Sequence, residues 1–256
     1  MRPLILITND DGYRSEGIAL LTEMAQQLGD VVVIAPERNA SGLSLSFTAS
    51  RPLRVRPIKE QDGLHVYACD GTPVDCVKLG QEYFCPRKPD LMVSGINHGS
   101  NSSINVLYSG TMGAVIEAAV GGLKAIGFSL IENETPLDMR PTAPFVLQIM
   151  RYALQHDMPP QTCLNVNFPV PDDSIIRGIK ICRQSKAYWR DSYEKRIDPR
   201  GLPYYWLTGR FECDDLEPDT DQYALMHSFV SVVPTSVDYT ATQHIPYFKP
   251  IETLSV

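Results

Sequence analysis

The sequence predicts a doubly wound α/β fold: a mostly parallel sheet with helices on both faces, from which a β-hairpin arm and a C-terminal tail depart. Three observations carry this expectation. Leu4 to Thr8 and Val31 to Ala35 are short runs without charge and almost wholly apolar, as in strands covered on both faces. Such runs alternate with stretches of helical periodicity, the order of βαβ units. The last third abandons that alternation for aromatic residues separated by polar turns.

The first strand, Leu4 to Thr8, leads into the polar loop Asn9 to Arg14. Ser15 caps a helix with apolar face Ile18, Leu21, Ala25 and Leu28 that ends at Gly29, and Pro36 stops the second strand. Strand, helix and strand make one right-handed βαβ unit. Leu45 to Pro57 alternates as a hairpin or edge strands would, and Gly71 to Leu79 reads as a turn opening a helix. A third short strand over 90–94 precedes a Gly/Asn/Ser loop that runs to Gly110. From Thr111 a helix follows through Met112, Val115, Ile116 and Ala119 to Gly121-Gly122; then come strand Ala125 to Leu130, helix Thr142 to Gln155 and strand Leu164 to Phe168. Ser228 to Val233 returns to the sheet. The expected organisation is one domain over 1–256, with a core over 1–182 and 219–233, an arm over 183–218 and a tail over 234–256.

The chain's 256 residues carry a net charge of -7, with 43% hydrophobic and 21% charged residues, which excludes a disordered or collagen-like chain. An acidic total argues against a protein that coats nucleic acid. No apolar run approaches the roughly 18 residues of a membrane span, and the N-terminal run is too short for a signal segment. The six cysteines contain no C-x-x-C pair and are expected as buried, reduced thiols, in keeping with a cytoplasmic protein.

Thr8-Asn9-Asp10-Asp11-Gly12 closes the first strand at the sheet edge where open α/β folds bind ligands. Adjacent carboxylates repel each other unless a proton or cation relieves them, and Mg²⁺ or Mn²⁺ suits oxygen ligands. The same four residues, Asn-Asp-Asp-Gly, are also good turn chemistry. Two later loops fall at matching strand ends, Asn39 to Gly42 and Ser94 to Asn101, where Ser41 and Asn97 offer neutral oxygens or ordinary loop hydrogen bonds. Tyr108-Ser109-Gly110-Thr111 precedes a helix, so free N–H groups and two hydroxyls can seat an anion or simply cap the helix.

Together with Ala35 to Gly42, Gly71 to Val77, Pro89 to Asn101, Leu164 to Pro169, Thr220-Asp221 and Val230 to Pro234, these motifs resemble the SurE (stationary-phase survival protein) family of metal-dependent nucleotide phosphatases. The resemblance runs from residue 3 to about 240 with motifs in family order. It implies a Rossmann-like sheet and one divalent metal per subunit, Mg or Mn, bound by Asp10, Asp11, Ser41 and Asn97. It also implies a substrate phosphate held by Asn101, Ser109, Gly110 and Thr111. The implied activity is 5′-nucleotidase hydrolysis of nucleoside monophosphates, with 3′-nucleotidase and exopolyphosphatase side activities. The implied assembly is a homodimer or homotetramer through arm and tail. Two positions depart from the family pattern: Asn105 stands where an acidic residue is expected, and Met112 where a smaller Val is.

Attack by metal-activated water is the preferred route, while Asp10 or Asp11 as general base, or as nucleophile through an aspartyl phosphate, remains open. A haloacid-dehalogenase-like phosphatase requires a carboxylate where this chain has Asn9 or, before Asp70-Gly71-Thr72, Ala68. The alternative of another class is a non-catalytic, metal-assisted nucleotide-binding or scaffold module on the same fold. Among the histidines, His98 lies inside the Asn97 loop and His227 and His244 lie where the C-terminal region can approach the site; His65 and His156 read as structural or surface. Residues 177–210 hold nine basic side chains and three acidic ones among Tyr and Trp, and Glu212 to Asp221 supplies six more acids. This pattern fits an oligomerisation hairpin better than a nucleic-acid surface.

Overall fold

The computed structural model describes residues 1–131, 138–170 and 175–254. Nine strands form one sheet in the order β3-β4-β2-β1-β5-β6-β7-β11-β8. The strands are β1 Leu4–Thr8, β2 Asp30–Pro36, β3 Val55–Gln61, β4 Leu64–Cys69, β5 Leu91–His98, β6 Ala125–Leu130, β7 Thr162–Phe168, β8 Gly178–Ile181 and β11 Phe229–Ser236. The six from β4 to β7 run parallel; β3 and β11 pair antiparallel with β4 and β7, and β8 lies parallel to β11. From β1 the chain winds outward to β2 and β4, then returns to β5 and winds the other way, so β1/β5 is the switch point.

Strand alternation divides one apolar sequence between two cores. Ile5, Ile7, Val31 and Val33 pack under helices α1 Glu16–Gln26 and α4 Ala143–Gln155. Leu4, Leu6, Val32 and Ile34 pack with α2 Pro73–Leu79 and α3 Gly110–Val120. Every residue of β1 is buried, as an uninterrupted apolar run demands. The expected Ser15 cap forms: its Oγ accepts the Ile18 N–H at 3.3 Å. Four of the six cysteines are buried, two are half-buried, and all six are free thiols. Burial pushes the Cys85 and Cys163 thiols up to about 12.

Two element assignments need correction. The hairpin expected within 45–57 forms later, as β3 and β4 over 55–69. Residues 46–54 hydrogen-bond instead to the start of α2 and the turn before it: Thr72 Oγ1 donates to Ser46 O, Thr48 N donates to Asp75 Oδ1 and Arg54 N donates to Asp70 Oδ1. Asp75 also completes the α2 capping box with Thr72, so the Gly71 to Asp75 motif builds structure. The strand expected over 90–94 continues to His98, because a shift between Ser94 and Asn97 restores pairing of Asn97 with Ser129. At that shift Gly95 has φ 129°, and an added Cβ would strike the Phe128 carbonyl.

The arm is the two-stranded sheet of β9 Ala187–Ile197 and β10 Pro203–Cys213. Helix α5 Asp221–Met226 leads back into β11, and the tail ends in α6 Ile245–Phe248 and a 3-10 turn to Thr253. The last two residues expected in the tail, 255 and 256, lie outside the described residues. Among the described residues no helix is long and apolar enough to cross a membrane.

Candidate active site

The carboxyl ends of β1, β2 and β5 and the first turn of α3 meet at the switch point. The turn after β1 is shaped by Asn9, which is fully buried. Its Nδ2 donates to Gly12 O and to Ser15 Oγ, and its Oδ1 accepts the Gly12 N–H. Gly12 has φ 102° and lies where an added Cβ would press on the Pro36 carbonyl at 3.2 Å, which fixes this turn against the end of β2. Asn9 is thus the clasp that presents Asp10 and Asp11.

Asp10 is 3% exposed. Thr111 Oγ1 donates to its Oδ1 at 2.5 Å, and Ala40 N donates to its backbone carbonyl at 2.7 Å. Gly110 is required beside it, since a Cβ there would lie 2.8 Å from Asp10 Oδ2. Among the described residues no Lys, Arg or His side chain forms a salt bridge with Asp10. Burial raises its carboxyl above the usual range, and the Thr111 and backbone hydrogen bonds oppose that shift. A buried carboxylate with only neutral donors is a charge held without a counter-charge. Asp11 is half-buried, and the His98 N–H approaches its Oδ2 at 3.4 Å.

Asn97 is 8% exposed, and its Nδ2 is tied to Gly99 O at 2.8 Å, which turns its carbonyl oxygen into the side of the amide left to accept. Ser41 is exposed next to Ala40, its N–H bound to Asn39 Oδ1. Ser109 caps α3 by accepting the Met112 N–H at 3.0 Å, and Gly110 and Thr111 are its first two residues. The structure therefore joins Asp10 directly to Ala40, Gly110 and Thr111, and Asp11 to the end of β5. Asn101 is used differently. Its Nδ2 donates to Ser129 Oγ at 2.6 Å, its N–H donates to Asn167 Oδ1, and its carbonyl accepts from Asn165 Nδ2, so here it fastens the 99–109 loop to β6 and β7.

Ser129, Asn165 and Asn167 were not expected at the site. The signal for the two asparagines is their i, i+2 spacing in an apolar strand, which sends two buried amides to one face. Asp221 is 1% exposed; it accepts the Ser103 and Ser185 N–H groups and ties the same loop to the base of the arm. Asn105 donates Nδ2 to Ser100 O and accepts from Trp189 Nε1 at 2.7 Å. A carboxylate at 105 has no proton for Ser100, which gives the departure from the family pattern a structural reason. His98 is exposed, and its described link to the site is through its backbone. His227 stacks on Tyr223 at the end of α5 and His244 lies in the tail, while His156 stacks on Tyr152 and His65 is exposed on β4.

Carboxylates and a helix N-terminus meeting at the switch point of a doubly wound sheet define a class: α/β proteins that seat a phosphate-bearing ligand at the carboxyl edge. The chain belongs to the SurE family, whose model, Survival protein SurE, matches residues 5–191. The 5′-nucleotidase SurE of Flavobacterium johnsoniae is 49% identical over 94% of this chain and 93% of its own. That of Bacteroides fragilis is 42% identical over 98% of both. The crystal structure of the SurE protein from Aquifex aeolicus superposes with a TM-score of 0.84 at 38% identity, covering 98% of this chain and 100% of that one.

Proposed function

We propose that this protein is a 5′-nucleotidase that hydrolyses nucleoside monophosphates to nucleoside and phosphate, dependent on one divalent cation per subunit. The carrying observation is Asp10: a buried carboxylate with no cationic partner, 2.5 Å from the first turn of a helix that presents free N–H groups. The donor set suits a hard cation. No cluster of three or more His, Cys, Asp or Glu exists among the described residues, so two carboxylates must be completed by neutral oxygens and water, as Mg²⁺ or Mn²⁺ accepts. Asp10 and Asp11 supply the charge, and Asn97 and Ser41 the neutral oxygens. A cation bound there supplies Lewis-acid polarisation of a phosphate oxygen and a more acidic bound water.

The chain's own residues do the rest. The N–H groups at Ser109 to Thr111 face the phosphoryl oxygens and stabilise charge developing on them. Asp11, the more exposed carboxylate, accepts the proton of the attacking water as its oxygen bonds to phosphorus and the ester P–O bond breaks. Asn101 positions the loop between β5 and α3. Asp10, holding Thr111, is oriented as a ligand rather than as a nucleophile, so no phosphorylated carboxylate should accumulate on rapid quench; trapping one would overturn that route.

The arm and tail support a homo-oligomer. Tyr193, Tyr205, Trp206 and Leu207 on the arm and Tyr247, Phe248, Ile251 and Leu254 on the tail are all more than half exposed. Three arm-region cations are already neutralised, Arg190 and Arg210 by Glu212 and Arg183 by Asp215 and Asp219, which disfavours nucleic acid as the partner. Deleting residues 186–206 should give smaller assemblies by light scattering. Phosphate release from a panel of nucleoside monophosphates with Mg²⁺, Mn²⁺ or chelator tests the activity; nucleotide binding without turnover would instead assign a binding module.

A further inference from the structure

A groove of about 610 Å³ runs between the base of the arm and the turn at residues 103–108, within the size range of small-molecule sites. It is neither purely apolar nor part of the carboxylate cluster. Tyr108 lines it and is the residue immediately before Ser109, so the groove opens beside the first turn of α3. Trp189 forms its opposite wall and is held on two sides. Its Nε1 donates to Asn105 Oδ1 at 2.7 Å, and its ring meets Phe211 edge-on with centroids 5.5 Å apart. The ring is nevertheless 46% exposed, although both contacts restrict its rotation. On the same strand Asp191, two residues on, lines the groove, and its cross-strand partner is Gly209. Gly209 has φ 151°, and an added Cβ would lie 2.6 Å from Arg190 O, so no side chain fills the floor opposite Asp191.

We propose that this groove is the nucleoside subsite of the phosphatase, with the base on Trp189 and Tyr108 and a ribose hydroxyl or base amino group donating to Asp191. The inference rests on the phosphatase reading above and adds where the rest of the substrate lies. The aromatic walls take a flat apolar ring, and stacking of that kind tolerates any base. Asp191 accepts hydrogen bonds and repels a phosphate, so the anionic end of a ligand is directed away from it, toward the N–H groups of α3. One ligand class meets all three demands: a flat ring, hydroxyls or an amino group that donate, and a phosphate at the far end.

The test compares kcat/KM for a nucleoside 5′-monophosphate with that for glycerol phosphate, an ester without a base, in wild type, Trp189→Ala and Trp189→Phe. Trp189→Ala should lower the nucleotide-to-glycerol-phosphate ratio roughly tenfold, through KM, and Trp189→Phe should restore most of it because the ring remains. An unchanged ratio in Trp189→Ala overturns the proposal. So does an equal loss in both variants, which would mean Trp189 acts through its bond to Asn105. A fall on both esters together with altered mass by light scattering would assign the groove to a second copy of the chain, again overturning it. Titration of adenosine into a Trp206→Phe protein separates this proposal from the phosphatase reading. Saturable quenching of the Trp189 fluorescence without turnover of either ester would sink the activity and keep the subsite. Turnover without quenching would do the reverse.

Discussion

Two carboxylates, Asp10 at the switch point and Glu212 at the base of the arm, are displaced from their ordinary behaviour in opposite directions. Burial raises Asp10, whose side-chain partner is a threonine hydroxyl. Glu212 is held down to about 2, chiefly by Arg190, with Tyr188 and Arg210 adding to the effect. The charge of Glu212 is spent within the hairpin, where three exposed side chains satisfy it. The charge of Asp10 has been withdrawn from water and left for something the protein must bind. Strongly shifted groups therefore separate into those that complete the fold and those that the fold sets aside.

The sharpest way to break this contrast is Asp10→Asn. It should reduce phosphatase kcat/KM at least about a hundredfold while leaving the metal-free thermal midpoint unchanged or higher, because a buried uncompensated charge has been removed. A protein that loses stability with its activity would place Asp10 with Glu212, among the structural charges.

Thr111→Val sharpens the same point. Without the hydroxyl that opposes burial, the Asp10 carboxyl rises further. Activity should fall about tenfold, on the scale of one lost hydrogen bond to a charged group, and the acid limb of the pH profile of kcat/KM should move to higher pH. An acid limb that stays in place would detach Asp10 from the reaction.

Ser129→Ala leaves the buried Asn101 Nδ2 without its acceptor and should cost about 1–3 kcal/mol in denaturant unfolding.

The smallest effect lies in the arm. Glu212 and Asp215 both have carboxyls lowered to about 2, so their pairing stabilises the hairpin above the ordinary carboxylate range and is lost as pH falls from roughly 4.5 toward 2. Both tryptophans of the chain, Trp189 and Trp206, lie in the hairpin, and their emission should shift to the red across that window. Glu212→Gln should show part of that shift already at neutral pH.

Much of this architecture is legible in the sequence wherever a local pattern decides it. The unbroken apolar run Leu4 to Thr8 can only be a covered strand, and Asn-Asp-Asp-Gly at its end puts two carboxylates on the ligand-binding edge. The hairpin was displaced because alternation in 45–57 describes side chains, whereas the backbone donors there are satisfied by Asp70 and Asp75, whose positions depend on β4 and α2. Ser129 was invisible for a related reason. Its role requires the register shift that brings Asn97 opposite it, together with a loop that folds Asn101 back over β6. Asn9, too, looks like a ligand in the sequence and acts as the clasp of the turn in the structure.

Calorimetric titration of Mn²⁺ into metal-free protein tests the central claim most directly, that Asp10 is a buried charge kept for a cation. Wild type should bind one ion per chain and Asp10→Asn none at the same concentrations. Undiminished binding by Asp10→Asn would contradict the account.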